Sequence, residues 1–305
     1  MSESIFPTRQ ISEIRLNMGL AWARRWLPAV AACASVALVL AAALWAKDLG
    51  LILLAVGGSL VCFYALGYSV RKRQQPFSPA LTHLKRHQYG EVWNFLAATR
   101  ELAGQSAAGE HEESELRRSV QSTIRNLLEL ASISPNDEVL EIGCGVGRVG
   151  RELVPHCRNW TGSDISENML SHAARRLEGM ENTRLVLLQG GSLSEFSSKS
   201  FDVVFATNML GHLDEIDRWF YVEEAFRVLR PGGRIFLDNI DLESDWGWNM
   251  FVKDAERLRY VERPPYMPKF STSSEFVAYV SHAGFDGIAV HRRPPLFIVT
   301  AKKAG

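Results

Sequence analysis

Residues 138–150, Glu138-Val-Leu-Glu-Ile-Gly-Cys-Gly-Val-Gly-Arg-Val-Gly150, constrain this chain more than any other segment. Val139, Leu140 and Ile142 read as a short buried strand that carries one carboxylate, Glu141. The strand breaks at Gly143-x-Gly145-x-Gly147, the pattern of a tight turn that opens a helix. Glycine lets backbone approach a ligand too closely for any Cβ, and the first turn of a helix leaves N–H groups unpaired. The segment therefore reads as a cradle for a small ligand, set in an α/β fold.

Which ligand is not settled by that spacing. Gly145-Val-Gly147-Arg-Val-Gly150 also satisfies the G-x-G-x-x-G of dinucleotide-binding folds. Asp164 lies about 20 residues on, where that fingerprint places a ribose-binding acid. Three features favour another reading. Glu141, two residues before the first glycine, would repel a pyrophosphate but could hold an amino group. Phe201-Asp202-Val-Val-Phe205 forms a second near-continuous apolar strand. Arg227-Val-Leu-Arg-Pro231-Gly-Gly-Arg-Ile-Phe-Leu237 reads as a helix end, a Pro-Gly-Gly turn and a buried strand. As a set, over roughly residues 119–303, these resemble the class I S-adenosylmethionine-dependent methyltransferases, especially the small-molecule and quinone-type branch.

From residue 137 onward strands alternate with helices. Strands are predicted at 138–142, 160–164, 184–188, 201–206, 233–238, 286–292 and 296–302, and helices at 147–155, 168–178, 217–229 and 273–283. Alternation of this kind specifies a mostly parallel sheet covered on both faces. The resemblance implies a Rossmann-like sheet of seven strands whose last strand inserts antiparallel. Helices are also predicted at 82–104 and 114–131, with a small, polar loop at 105–112 between them. In the resembled family such helices cap the cofactor site, a role open to Tyr89 and Trp93, which equally suit a plain core.

The resemblance implies S-adenosylmethionine as cofactor and gives roles to particular residues. Gly143, Gly145 and Gly147 match the turn that packs against its methionine and ribose portions. Glu141 matches the acidic position at the amino-acid end, although a carboxylate there could also cap the next helix. Asp164 fits the acid that accepts from the ribose hydroxyls, and Ile165 the apolar platform for adenine. N-capping of the following helix by Asp164 or Ser166 is the rival role. The family's adenine-binding aspartate is replaced by Gln189-Gly-Gly-Ser192, which leaves that contact to the Ser192 hydroxyl or the Leu193 backbone. In the loop Ala206-Thr-Asn-Met-Leu-Gly-His212, Asn208 is expected to orient cofactor or loop. His212 is the candidate general base, with a structural histidine as the alternative. Residues 241–270 read as a substrate lid, holding Trp246, Trp248, Met250, Phe251, Tyr260, Tyr266 and Phe270 beside Arg257, Arg259 and Arg263, or as an ordinary covering helix.

The N-terminal part is different in kind. Residues 27–46 and 49–70 are uncharged runs of 20 and 22 residues, separated by Lys47 and Asp48. Each is long enough to cross about 30 Å of hydrocarbon. Arg24 and Arg25 precede the first run and Arg71-Lys72-Arg73 follows the second, so both ends are expected in the cytoplasm. A buried hairpin in a soluble fold is the alternative. A cleaved signal peptide fits poorly, because the leader is some 26 residues long and a second apolar run follows at once. The expected organisation is an amphipathic arm at 1–26, a transmembrane hairpin at 27–70, linker and capping helices at 71–118 and a methyltransferase domain at 119–305.

Balanced charge, with 34 basic and 34 acidic residues, argues against a nucleic-acid-binding surface. The four cysteines form no C-x-x-C pair, so neither a bound metal nor a disulfide is implied. The leading expectation is a membrane-anchored methyltransferase facing the cytoplasm and acting on a small, lipid-soluble acceptor. Alternatives are a soluble or protein substrate with the hairpin as a docking device, a cofactor-binding scaffold without turnover, and a nicotinamide-dependent oxidoreductase.

Overall fold

Seven strands form a single sheet in the order β3-β2-β1-β4-β5-β7-β6 in the computed structural model, which describes residues 88–108, 113–259, 263 and 265–305. The strands are β1 (Glu138–Ile142), β2 (Asn159–Asp164), β3 (Thr183–Leu187), β4 (Phe201–Ala206), β5 (Leu229–Ile240), β6 (Phe285–Arg293) and β7 (Leu296–Lys303). β1 to β5 pair in parallel, and β7 runs antiparallel between β5 and β6. The mostly parallel sheet and the antiparallel insertion of the last strand are thus as the sequence led us to expect. The arm at 1–26 and the apolar runs at 27–46 and 49–70 lie outside the described residues. Among the described residues no helix is long and apolar enough to cross a membrane.

Helices cover the sheet: α1 (Tyr89–Leu96), α2 (Arg100–Ala108), α3 (Glu113–Leu130), α4 (Arg148–Leu153), α5 (Glu167–Arg176), α6 (Glu215–Val228), α7 (Asp245–Leu258) and α8 (Ser273–His282). Alternation along the strands assigns side chains to the two faces. On one face Leu140, Ile142, Val204 and Leu237 pack with Val222 and Ala225 of α6 and Phe276 and Val280 of α8. On the other, Val139, Val203, Phe205 and Phe236 pack with Val120, Ile124 and Leu127 of α3 and Val149 and Leu153 of α4. Glu141 alternates with Leu140 and Ile142, and Asp238 with Leu237, so both carboxylates point to the face covered by α3 and α4. Both faces of β4 are buried, which is why it reads as an almost unbroken apolar run.

Two expected boundaries move. The described part of the helix predicted at 82–104, from residue 88 on, is two helices, because Ala97 and Ala98 turn out of α1 and the Thr99 hydroxyl accepts from Leu102 N at 3.2 Å, starting α2. The Pro231-Gly-Gly turn expected ahead of a strand is absorbed into β5, which begins at Leu229. Leu229 pairs with Phe201 and Arg234 with Val203, so the extra residues loop out as an irregularity of the ladder, with Gly232 at φ +77°.

Candidate functional site

The strand order reverses at β1, which lies between β2 and β4, so the connections after β1 and β4 diverge to opposite faces of the sheet. Open α/β sheets bind ligands at such a switch point, beyond the carboxyl ends of the strands. A cavity of about 330 Å³ opens there. Its floor is Glu141, Ile142, Gly143, Cys144 and Gly145 at the end of β1, with Asp164 and Ile165 at the end of β2. Thr207, Asn208, Met209, Gly211, His212 and Leu213, after β4, form the opposite wall, and Tyr89 and Trp93 of α1 line it as well.

The glycine turn is held from two sides. Gly143 N and Cys144 N donate to Ser163 O at 2.8 and 2.9 Å. Asp164 Oδ2 accepts from Gly145 N at 2.8 Å and Oδ1 from Ser166 N at 2.9 Å. Gly143 adopts φ +71°, and a Cβ there would lie 2.3 Å from Met209 Cγ, so the loops after β1 and β4 meet at this residue. Gly150 and Gly162 make room for the indole of Trp160, which a Cβ at either position would meet within 2.3 Å. The indole N–H donates to Glu141 Oε2 at 3.1 Å. The buried Trp160 therefore locks α4 onto the sheet and also holds the carboxylate of the cavity floor.

Charge is concentrated in this floor. Burial pushes the Glu141 carboxyl up to about 8, Asp164 to about 6 and Asp238 to about 7. The hydrogen bonds from Gly145 and Ser166 pull Asp164 back, and the Asn208 N–H, 2.8 Å from Asp238 Oδ1, does the same for Asp238. Arg148, in the first turn of α4, stands against Glu141 and Asp238 and opposes their protonation.

The loop after β4 is fixed by buried polar contacts. Arg218 is 1% exposed and donates through Nε to Leu210 O at 2.8 Å. Its Nη1 reaches Ser271 Oγ at 2.6 Å and Glu275 Oε1 at 2.8 Å. Lys269 N donates to Gly211 O at 2.6 Å, and Lys269 Nζ pairs with Asp214. His212 Nδ1 lies 2.9 Å from Tyr266 O, and its ring meets Trp93 edge-on at 4.8 Å. Asn208 takes a positive φ of 55°, uncommon for a residue other than glycine, and holds the turn by its N–H to Asp238.

Most of the candidate residues converge. Glu141, Gly143, Gly145, Asp164, Ile165, Asn208 and His212 all line the cavity. Gly147 and Ser192 do not. Gly147 is the left-handed residue that starts α4, against Ala173. Ser192 Oγ accepts from Ser194 N at 3.4 Å, and Leu193 N is taken by Glu224 Oε2 at 3.0 Å. Neither replacement expected for the adenine-binding aspartate reaches the cavity wall, which is lined here by Leu188 and Gly191. Capping of α5 falls to Ser166, whose hydroxyl accepts from Met169 N at 3.1 Å; Asp164 supports it by taking Ser166 N. In the insertion at 241–270, Trp246 and Trp248 of α7 are 48% and 51% exposed, and Trp248 stacks on Phe251 at 5.6 Å. Tyr260 lies outside the described residues. Sequence reasoning passed over Arg148 and Asp238; each is a charge next to an apolar strand end, the one available signal.

Residues 139–233 match a family described as a methyltransferase domain. The chain is 32% identical over 173 residues to the 27-O-demethylrifamycin SV methyltransferase of Amycolatopsis mediterranei, an alignment covering 54% of this chain and 61% of that protein. It is 28% identical over 159 residues to the ubiquinone biosynthesis O-methyltransferase of Idiomarina loihiensis, covering 50% and 63%. The chain thus spans under two thirds of these relatives' lengths. Among solved structures it shares its fold with phosphoethanolamine N-methyltransferase 2 of Haemonchus contortus in complex with phosphomonomethylethanolamine and S-adenosylhomocysteine. That likeness has a TM-score of 0.50 at 16% identity, over 61% of this chain and 53% of the other.

Proposed function

We propose that this chain, which carries a class I S-adenosylmethionine-dependent methyltransferase domain, transfers a methyl group to a small acceptor and, in its full length, does so at a membrane on a lipid-soluble acceptor. The observation that carries the reading is the cavity at the β1–β4 switch point, floored by a glycine turn in which Gly143 leaves no room for a side chain and by the Asp164 carboxylate. Those residues fit the cofactor. Gly143 keeps the backbone bare where the loops after β1 and β4 meet, and Glu141 and Asp164 put acceptors for polar or cationic groups in the floor. When bound, S-adenosylmethionine supplies a methyl group already activated on a sulfonium.

The protein's part is then alignment. Arg218 and Lys269 hold the loop after β4 to the segment at 269–275, and Asp238 holds Asn208. The carbonyl of Tyr266 only accepts, so His212 Nδ1 donates to it and the lone pair of the neutral ring sits on Nε2. That tautomer suits a general base that takes a proton from an acceptor hydroxyl or acidic carbon.

The lipid-soluble acceptor rests on the two uncharged runs at 27–46 and 49–70, with the exposed Trp246 and Trp248 of α7 as secondary support. The relative named for ubiquinone biosynthesis points to the same acceptor class. Full-length protein in its native membranes, given S-adenosylmethionine with a labelled methyl group, should put label into an organic extract. Label confined to the aqueous or protein fraction would transfer the reading to soluble or protein substrates. No transfer, with the cofactor bound, would make the domain a scaffold.

A further inference from the structure

Arg148 is the one charged side chain of the cavity wall whose donors find no acceptor among the described residues. It is 9% exposed and lines the cavity beside Glu141 and Gly145. A guanidinium offers five N–H donors, and burying them without partners is costly. The other buried arginine among the described residues, Arg218, donates through Nε and Nη1 to Leu210 O, Ser271 Oγ and Glu275 Oε1, with only its Nη2 left without a partner. Arg176, near the same turn, donates to Val146 O. Arg148 makes no such bond. The carboxylates that face it from β1 and β5 are engaged elsewhere: Glu141 Oε2 takes the Trp160 indole N–H, and Asp238 Oδ1 takes Asn208 N. They supply the charge that makes a buried guanidinium tolerable without using up its donors. Its fork geometry matches an incoming carboxylate bidentately, which a lysine would not.

We propose that Arg148 is the carboxylate-binding residue of this cavity, its guanidinium taking the α-carboxylate of the cofactor's amino-acid end while Glu141, on the same wall, faces the ammonium. The proposal rests on the cofactor reading given above. It turns the cavity floor into a receptor for a zwitterion, with one cationic side chain and one hydrogen-bonding carboxyl on adjacent elements. Arg148 thereby selects for an intact amino acid on the nucleoside.

The test compares two ligands and two variants by calorimetry on the full chain. The ligands are S-adenosylmethionine and its decarboxylated analogue, which keeps the sulfonium, ribose, adenine and amine. Wild-type protein should bind the intact cofactor at least about tenfold more tightly, the size expected for a charge-assisted, bidentate contact. Arg148→Met should bring the two affinities to within about threefold, and Arg148→Lys should fall between, since a point charge replaces the fork. A purely structural role would weaken both ligands equally and leave their ratio unmoved. The proposal is overturned if wild type binds the two equally, a result that needs no variant to fold, or if Arg148→Met keeps the wild-type ratio. Failure of wild type to bind either nucleoside would instead bring down the cofactor reading itself, and this inference with it.

Discussion

The hydroxyl of Tyr89 donates to Asp217 Oδ2 at 2.7 Å and accepts from Asp214 N at 3.2 Å, tying α1 to the start of α6 across 128 residues of chain. Tyr89 also lines the cavity, so these two bonds hold α1 over the site. Tyr89→Phe keeps the ring and loses both. A hydrogen bond to a charged group contributes about 1.5–3 kcal/mol, so the variant should melt earlier and bind the cofactor several-fold more weakly. Thermal unfolding and calorimetry check the two effects separately. A lower melting temperature with unchanged affinity would leave α1 as cover without influence on the ligand.

Gly143 joins the two loops of the site sterically. Its φ of +71° is strained for any residue with a side chain, and an added Cβ would lie 2.3 Å from Met209 Cγ and 2.9 Å from Met209 Cβ. Gly143→Ala should cost about 1–3 kcal/mol of stability through the backbone alone. It should also displace the loop after β4 and lower cofactor affinity by more than the stability loss suggests. Met209→Ala in the same background removes the Cγ clash but neither the φ strain nor the Cβ contact. Partial recovery of affinity in the double variant, beyond additivity, is the expected result.

Legibility in the sequence followed the range of the interactions. The glycine turn, β4 and the acid at the end of β2 were readable because local geometry dictates them: glycine for positive φ, apolar runs for strands buried on both faces. Contacts that fix the site from far along the chain were not. Nothing local in Tyr89-Gly-Glu-Val-Trp93 announces a bond to Asp217 or a ring contact with His212. The split of the helix predicted at 82–104 turned on one Thr99 hydroxyl. Ser192 and Leu193 sat at the right distance from β3 but were drawn away, Ser192 by a local bond from Ser194 N and Leu193 by a distant one to Glu224 on α6. Arg148 was passed over, because only the register of Glu141 and Asp238 on one face of the sheet reveals that its charge is buried.

The buried carboxylates set a pH dependence of stability. Glu141, Asp164 and Asp238 are raised in the folded protein to about 8, 6 and 7, above their ordinary values. A raised acid holds a proton when folded that it releases when unfolded. The folded state therefore binds more protons, and stability falls as pH rises from the unfolded value to the folded one. The decline runs from about pH 4 to about pH 8, at up to about 1.4 kcal/mol per pH unit for each group titrating, and flattens above. Only Glu141 spans the upper end, so Glu141→Gln should flatten the curve between about pH 7 and 8 and leave the lower part in place. Denaturant titrations from pH 5 to 9 read this directly, and a variant slope equal to wild type would remove Glu141 from the account.

His212 is the remaining candidate for proton transfer. Its Nδ1 is committed to Tyr266 O at 2.9 Å and its ring edge to Trp93, so the imidazole is oriented before any acceptor arrives. His212→Gln keeps a side-chain amide that can donate to the same carbonyl but has no basic nitrogen. With a hydroxyl acceptor, kcat should fall by about 10²-fold, the usual contribution of a positioned base, while cofactor affinity stays within about twofold. The acidic limb of the pH–rate profile should vanish in the variant. A parallel loss of cofactor affinity would mean that the ring acts through the loop it anchors, and retained kcat would reduce His212 to the link between Trp93 and Tyr266.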